Sequence, residues 1–472
     1  MAKLAYSLTL ILLLPCVALF GQSAPDKAID SLEVSNVFIL GNRKTKSEII
    51  LRELTLGKGQ KVSVRKLKET LESDRQKVMN TRLFNSVKVD ATDAGRGLID
   101  IIVRLKERWY IFPSPIFRLA DRNFNDWVEN HNASFQRVDY GLDFRHYNFR
   151  GRNEKLKIKG QLGYTHKLEL GYKIPYLSLS KDIGLNINYK YGNNNNIAVD
   201  TKDNKRIFHT GESRDLSQYH NVNIGITKRK GFYTNHEFFA GYHYNIVSDT
   251  ILKLNPNFFL NGKRNISYLF AGYHLSINKK DAHAYPLNGY AMDLYAEHRG
   301  FGITGDVRQS ILDFRASKYY SLGGPFYASH AVKAYVSFQE KQPYPLMKGI
   351  GFDPFTIRGY ELYVIQGQYI GLIKNDLKAK IWGANVNLGK VMPIDQFRDF
   401  HFTFYGKLFA DAGYVQGPNN QEDKGNDMVN KAQYSVGAGL DFVSWYDTVL
   451  SLEYAYTATG ILKWALRFNA RI

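Results

Sequence analysis

The C-terminal stretch Lys463-Trp464-Ala465-Leu466-Arg467-Phe468-Asn469-Ala470-Arg471-Ile472 decides the fold. Trp464, Leu466, Phe468, Ala470 and Ile472 are apolar or small, while Lys463, Arg467, Asn469 and Arg471 alternate with them. A period of two is the repeat of a β-strand with one apolar face. The pattern recurs upstream. Leu156, Ile158 and Leu162 stand against Lys155, Lys157, Lys159 and Gln161; Leu450, Leu452, Tyr454 and Tyr456 stand against Ser451 and Glu453. A soluble sandwich also buries one strand face, so alternation alone leaves two folds open. Length separates them. The runs span roughly 9 to 15 residues, as tilted strands must to cross a bilayer.

About sixteen such runs fill residues 109–472, starting near 109, 135, 153, 165, 183, 216, 232, 263, 287, 306, 325, 366, 401, 434, 447 and 462. An even number puts both ends of a barrel on one side. The long polar connections at 121–134, 193–215, 248–262, 339–365 and 416–433 then face outside. The short ones at 148–152, 229–231, 321–324 and 443–447 face the other way, the asymmetry of an outer-membrane barrel. Connections 277–286 and 383–400 are longer than that rule wants. The predicted fold is an all-β transmembrane barrel preceded by a small α+β domain.

Composition agrees. Aromatics make up 14% of the 472 residues, with 32 Tyr and 29 Phe, which suits the aromatic girdles of a barrel. Past the first two dozen residues no apolar run is long enough for a spanning helix. Residues 1–22 read as a signal peptide: Lys3, an apolar core from Leu4 to Phe20, then Gly21 and Gln22. Cys16, the only cysteine, lies inside that core. Its removal leaves no disulfide, no thiolate metal site and no Cys nucleophile. The net charge of +19 falls to +18 with the loss of Lys3. In a secreted chain, lipid phosphates or a basic channel lining explain that charge better than nucleic acid.

Residues 31–107 read as a β-α-α-β-β domain. Ser31 to Leu40 is a strand; Thr45, with Glu48 three residues on, fits a capping box. A longer helix runs from about Val64 to Leu83, its charged side from Arg65 to Lys77 reading as a solvated face. Two strands follow, Ser86 to Ala91 and Leu98 to Leu105.

One long connection is singular. Gly351-Phe352-Asp353-Pro354-Phe355-Thr356-Ile357-Arg358-Gly359-Tyr360 lies between strands eleven and twelve. About fifty residues later Phe409-Ala410-Asp411-Ala412-Gly413 sits inside a strand, with Asp411 on the face of Lys407 and Tyr405. Ile357-Arg358-Gly359-Tyr360 and Phe409-x-Asp411-x-Gly413 resemble the (V/I)RG(F/Y) and F-x-D-x-G motifs of the BamA/TamA superfamily of outer-membrane assembly factors. Asn148-Phe149-Arg150-Gly151, Tyr285-Pro286-Leu287-Asn288-Gly289 and Gly437-Ala438-Gly439-Leu440 resemble other stretches of that family, and residues 31–107 resemble its POTRA domain. The chain departs from the family in carrying one POTRA-like unit and in ending at Ile472 instead of an aromatic residue.

The resemblance implies a loop folded into the barrel, with Arg358 bound to Asp411, Gly359 allowing a tight backbone and Tyr360 packed on the wall. Asp441 is a candidate second acceptor. Lys155, Lys157, Lys159, Arg467 and Arg471 fall on the polar faces of their strands and predict a basic lumen. In the first strand Pro113 and Pro115 lack donors, so pairing with the last strand, around Phe117, Phe468 and Ile472, is expected to be short.

No G-x-S-x-G, H-E-x-x-H or phosphate-binding Gly loop is present, and the twelve His are scattered. The expectation is a protein without catalysis, metal or cofactor. It would insert or translocate polypeptides at a Gram-negative outer membrane by strand addition and opening of the first-to-last strand seam. Its expected partners are unfolded outer-membrane or secreted polypeptides, membrane lipid and accessory periplasmic or lipoprotein subunits, with no nucleic acid. The alternative is a passive pore or small-solute transporter with a basic lumen.

Overall fold

The computed structural model describes residues 30–119, 135, 138–211, 216–303, 307–417, 424–444 and 446–470. The leader expected over residues 1–22, and with it Cys16, lies outside them, as do Arg471 and Ile472.

The N-terminal domain runs β1 (Ser31–Leu40), α1 (Ser47–Leu51), β2 (Lys61–Ser63), α2 (Val64–Asn80), β3 (Phe84–Gly95) and β4 (Leu98–Glu107). Its sheet order is β2-β1-β4-β3, with β1 and β4 parallel. Val34, Ile50, Val78, Phe84, Ile101 and Val103 form the core under α2. The three-residue β2, which sequence reading did not anticipate, covers part of one edge of β1.

Two sequence expectations fail here. Thr45 does not cap α1; the N-cap is Lys46, without a side-chain cap bond. The Thr45 hydroxyl is already engaged, 3.1 Å from that of Tyr110 and accepting from Asn148 Nδ2 at 2.8 Å. The charged side of α2 is not wholly solvated either. Asp74 and Lys77 are buried. The Asp74 carboxylate accepts the N–H groups of Thr55 and Leu56 and a bond from Lys77 at 2.8 Å. The chain leaving α1 exposes donors that have no helical partner, and a buried carboxylate supplies the acceptor. Helix α2 stops at Asn80, short of Leu83; Arg82 follows in the left-handed region at φ 65°.

Sixteen strands follow: Ile111–Leu119, Val138–Phe149, Glu154–Gly163, His166–Ile174, Ile183–Asn194, Ser217–Lys230, Thr234–Val247, Asn265–Asn278, Gly289–Arg299, Gln309–Gly323, Phe326–Ser337, Tyr369–Asn387, Asp399–Gln416, Ala432–Ser444, Thr448–Thr457 and Leu462–Ala470. Each pairs antiparallel with the next in one continuous sheet. Every start lies within three residues of its expected position. The sheet curls into a barrel, so that Phe112 of the first strand meets Tyr446 of the turn before strand fifteen, ring centroids 6.0 Å apart. Leu162, Ile226, Phe238, Leu408, Leu466 and Phe468 point outward, each more than half exposed. An apolar belt of that extent is a bilayer face. Among the described residues no helix is long and apolar enough to cross a membrane.

The rim away from the N-terminal domain is built up. Connection 193–215 contains a hairpin, Asn196–Lys202 with Lys205–Thr210, and helix α3 (Asp249–Leu254) lies in connection 248–262. Val199, Ile251, Phe258 and Phe259 join them in a second core. At the near rim the connection before strand nine is long because it folds into the mouth. The Tyr285 hydroxyl donates to Asp441 at 2.7 Å and Lys378 lies 4.3 Å over its ring. After strand twelve only residues 388–398 connect, because both flanking strands are longer than their alternation predicts.

Candidate functional site

Loop 338–368 enters the barrel and is anchored by a short sheet of its own, Lys348–Ile350 with Ile365–Gly367. Ile350, Phe355, Ile357, Tyr360 and Ile365 are buried with Ile370, Leu372 and Val415 of the wall. This apolar packing carries Arg358 to the lumen face of strand thirteen. Its Nε donates to Asp411 Oδ2 at 2.8 Å, its Nη2 to Oδ1, and its backbone N–H to Oδ2 at 3.1 Å. The fork is bidentate, which a guanidinium can form and an ammonium cannot. Arg358 Nη1 also donates to Asp376 of strand twelve at 2.5 Å, and the guanidinium lies 3.9 Å over the Phe409 ring.

Both short motifs now have a physical basis. Phe409 supplies a cation-binding face and Asp411 the paired charge. At Gly413 an added Cβ would come within 2.8 Å of Ile357 Cδ1 and 2.9 Å of Ile350 Cδ1, so Gly leaves room for the loop's two isoleucines against the strand. Gly359 has φ +87° and would press a Cβ to 2.6 Å from Thr457 on strand fifteen. Tyr360 is 1% exposed, its hydroxyl donating to the Tyr434 carbonyl at 3.3 Å.

Asp441, expected as a second acceptor for Arg358, has other partners: Lys407 at 2.6 Å and Tyr285. It lies six residues along from Ser435, the register partner of Asp411, and nearer the near rim. The further carboxylates around Arg358 are Asp376 and, at 3.9 Å, Glu453 of strand fifteen. Sequence reading passed over both. The signal was available, because Lys374, Asp376 and Lys378 alternate with apolar Ile373 and Leu377 and so face inward.

The predicted lumen lysines share a face opposite the exposed Ile158 and Leu162. Lys157 is paired with Glu169 at 2.6 Å, and Arg467 with Glu361 and Glu453 at 2.5 and 2.7 Å. Lys155 lies 5.6 Å over the Tyr147 ring. The lining around these strands is therefore mixed in charge and not uniformly basic. Lys159 faces Glu169 in register across strands three and four.

At the seam, the ladder of strands one and two runs unbroken from Ile111 to Leu119 through both prolines. A proline facing strand two would interrupt that ladder, so the missing donors of Pro113 and Pro115 point to the seam side. Among the described residues no ladder joins strands one and sixteen. Phe117 and Phe468 are each 69% exposed on the outer face.

The N-terminal domain is clasped to the near rim on both flanks of this seam. On one flank, Lys46 N–H donates to the Gly151 carbonyl at 3.0 Å, beside the Thr45–Asn148 bond. On the other, Asp447 in the turn before strand fifteen takes Arg82 at 2.9 Å and Arg108 at 3.1 Å. Burial raises the Asp447 pKa, but the two arginines outweigh it and hold the carboxyl below its ordinary value of 3.8. A depressed carboxyl pKa stabilises the folded state above the unfolded value and loses that contribution as pH falls through the folded value. The clasp is therefore expected to hold from pH 8 down to about pH 4 and to loosen below that. Asp447→Asn should loosen it across that range and remove the acid dependence, at a cost of about 2 kcal/mol for a partly exposed pair. Hydrogen exchange at residues 82–84 and 108–110 measures this; protection unchanged by Asp447→Asn would contradict it.

Residues 148–459 match the Omp85 superfamily domain. Residues 32–108 match the POTRA family, described as a surface antigen variable number repeat. Among solved structures, BamA from Haemophilus ducreyi lacking POTRA domains 1–3 aligns at 14% identity with a TM-score of 0.52, covering 93% of this chain and 84% of that one. CdiB from Escherichia coli aligns at 11% identity with a TM-score of 0.55, covering 93% and 75%. At these identities the likeness is one of fold. No curated protein matches the sequence.

Proposed function

Because the chain belongs to the Omp85 superfamily, we propose that it inserts or translocates other polypeptides at a Gram-negative outer membrane, with its POTRA domain in the periplasm. The observation that carries this reading is the outer edge of β3. That strand is twelve residues long and ends the POTRA sheet. Beside it, Leu67 and Leu71 of α2 and Val89 and Ala91 of β3 line a groove edged by Lys68, Glu72 and Asp90. An extended polypeptide fits such a site: backbone bonds to the edge give affinity, and alternate side chains enter the groove. The client then passes to the barrel, where strand pairing at the seam satisfies backbone groups that lipid cannot. No cofactor or nucleotide takes part, since the client's own folding provides the driving force. Outer-membrane lipid and accessory periplasmic or lipoprotein subunits complete the proposed set of partners. The competing pore needs no such edge, and a latched loop in its lumen argues against it.

A photo-crosslinking residue at Asp90 is expected to capture client polypeptide. Leu71→Asp should cut that capture and client assembly about tenfold, the effect of losing one buried Leu contact. A pore would capture nothing and would conduct equally in both forms. Depletion of the protein, followed by an inventory of outer-membrane and secreted proteins, separates insertion from secretion.

A further inference from the structure

The sixteenth strand has a ladder on one side only among the described residues, with strand fifteen. Its outer face offers Trp464, Leu466 and Phe468 to lipid, contacts that leave an end strand free to slide or swing. Its lumen face is different. Lys463 and Arg467, two inward steps apart, both reach the loop that carries the latch. Lys463 Nζ lies 4.8 Å over the Tyr363 ring. Arg467 Nη2 donates to Glu361 Oε1 at 2.5 Å.

Glu361 is three residues from Arg358, and its Oε1 also accepts the Gly359 N–H at 3.1 Å. Arg467 Nε stands 2.7 Å from Glu453 Oε2, but neither atom makes a well-aligned hydrogen bond. Glu453, 5% exposed, also takes Lys407 at 2.8 Å and lies 3.9 Å from Arg358. Arg358, Glu453, Arg467 and Glu361 thus form a chain of alternating charge, latch arginine, wall carboxylate, end-strand arginine and loop carboxylate, and Glu361 returns to the latch turn through the Gly359 N–H.

We infer that Arg467 is a positioning residue that couples the docked loop to the seam strand, so that strand sixteen moves outward only when Arg467 leaves Glu361. The coupling rests on the reading that the seam opens, and it names what regulates that opening. It runs both ways: a docked latch holds strand sixteen in place, and a displaced strand sixteen pulls on Glu361 and so on the Arg358 turn. Poor alignment at Glu453 makes that contact electrostatic and easily exchanged, while the Glu361 bond is directional. Lys463 on Tyr363 adds a second, weaker hold.

The test uses the full chain in lipid vesicles, with single cysteines at Phe117 and Phe468 as seam reporters and trypsin cleavage within 338–368 as loop reporter. Arg467→Glu is expected to lower the seam crosslinking yield about three- to fivefold, the range of a partly exposed ion pair, and to raise loop cleavage in parallel. Arg467→Glu with Glu361→Arg should restore both. Tyr363→Leu, which removes only the weaker hold, should shift both slightly in the same direction. Seam and loop readouts that move independently, or a charge exchange that rescues neither, would overturn the coupling. Client assembly is scored separately with the seam locked. If locking leaves assembly unchanged, the lateral-opening reading fails, while the two conformational readouts still decide the coupling.

Discussion

Arg358→Ala will release the loop from the barrel. The substitution takes the guanidinium from Asp411, which is 2% exposed, and leaves it only the residue-358 N–H and Lys374 at 3.4 Å. It also removes the donor to Asp376 and the cation over Phe409. Breaking a buried pair by deleting one partner costs roughly 3 to 5 kcal/mol, because the remaining charge is stranded. That is a large share of the stability of a docked loop. The measurements are protease sensitivity of residues 338–368 and the temperature at which the folded barrel is lost on heated gels. Arg358→Lys should recover little, since an ammonium cannot reproduce the fork on Asp411. Exchanging the charges, Arg358→Asp with Asp411→Arg, should recover part of the loss. A loop as resistant in Arg358→Ala as in the native chain would refute the latch.

Closing the seam covalently will stop client assembly. A crosslink between strand one near Phe117 and strand sixteen near Phe468 removes the one boundary of the sheet that no ladder spans among the described residues. Elsewhere each boundary is a full antiparallel ladder, such as the fourteen register pairs of strands six and seven. Opening any of those strands many backbone groups in lipid, at several kcal/mol for each unsatisfied group. The seam, with the Pro113 and Pro115 donors missing on its side, is the cheapest place to part. Locked protein is expected to fold normally and to lose assembly by an order of magnitude or more, with reduction of the crosslink restoring it. Undiminished assembly in the locked state would place the client path elsewhere.

Much of this architecture was legible in the chain itself. Alternation located sixteen strands because a barrel strand meets lipid on one face and a polar lumen on the other, and that contrast is local in sequence. Parity then put Asp411 inward, and the resemblance of the two short motifs to those of the BamA/TamA superfamily implied its pairing with Arg358. Local reasoning stopped where a side chain's partner comes from another element. Thr45 carries the sequence signal of a helix cap, but Asn148, 103 residues away, engages its hydroxyl. Asp74 and Lys77 look like solvated helix charges, but the chain after α1 leaves N–H groups that need a carboxylate. Asp441 faces inward as parity requires, but its height along the strand sets it beside Lys407, beyond the reach of Arg358. The sequence by itself determined the strand count and the inward and outward faces, because these follow from periodicity, and the latch pair was legible through the motifs' resemblance to a known family. Only the tertiary structure decided which charges share a carboxylate, since Asp376, Glu453 and Arg467 converge on the loop through barrel closure, and no spacing along the chain encodes the distance across a lumen.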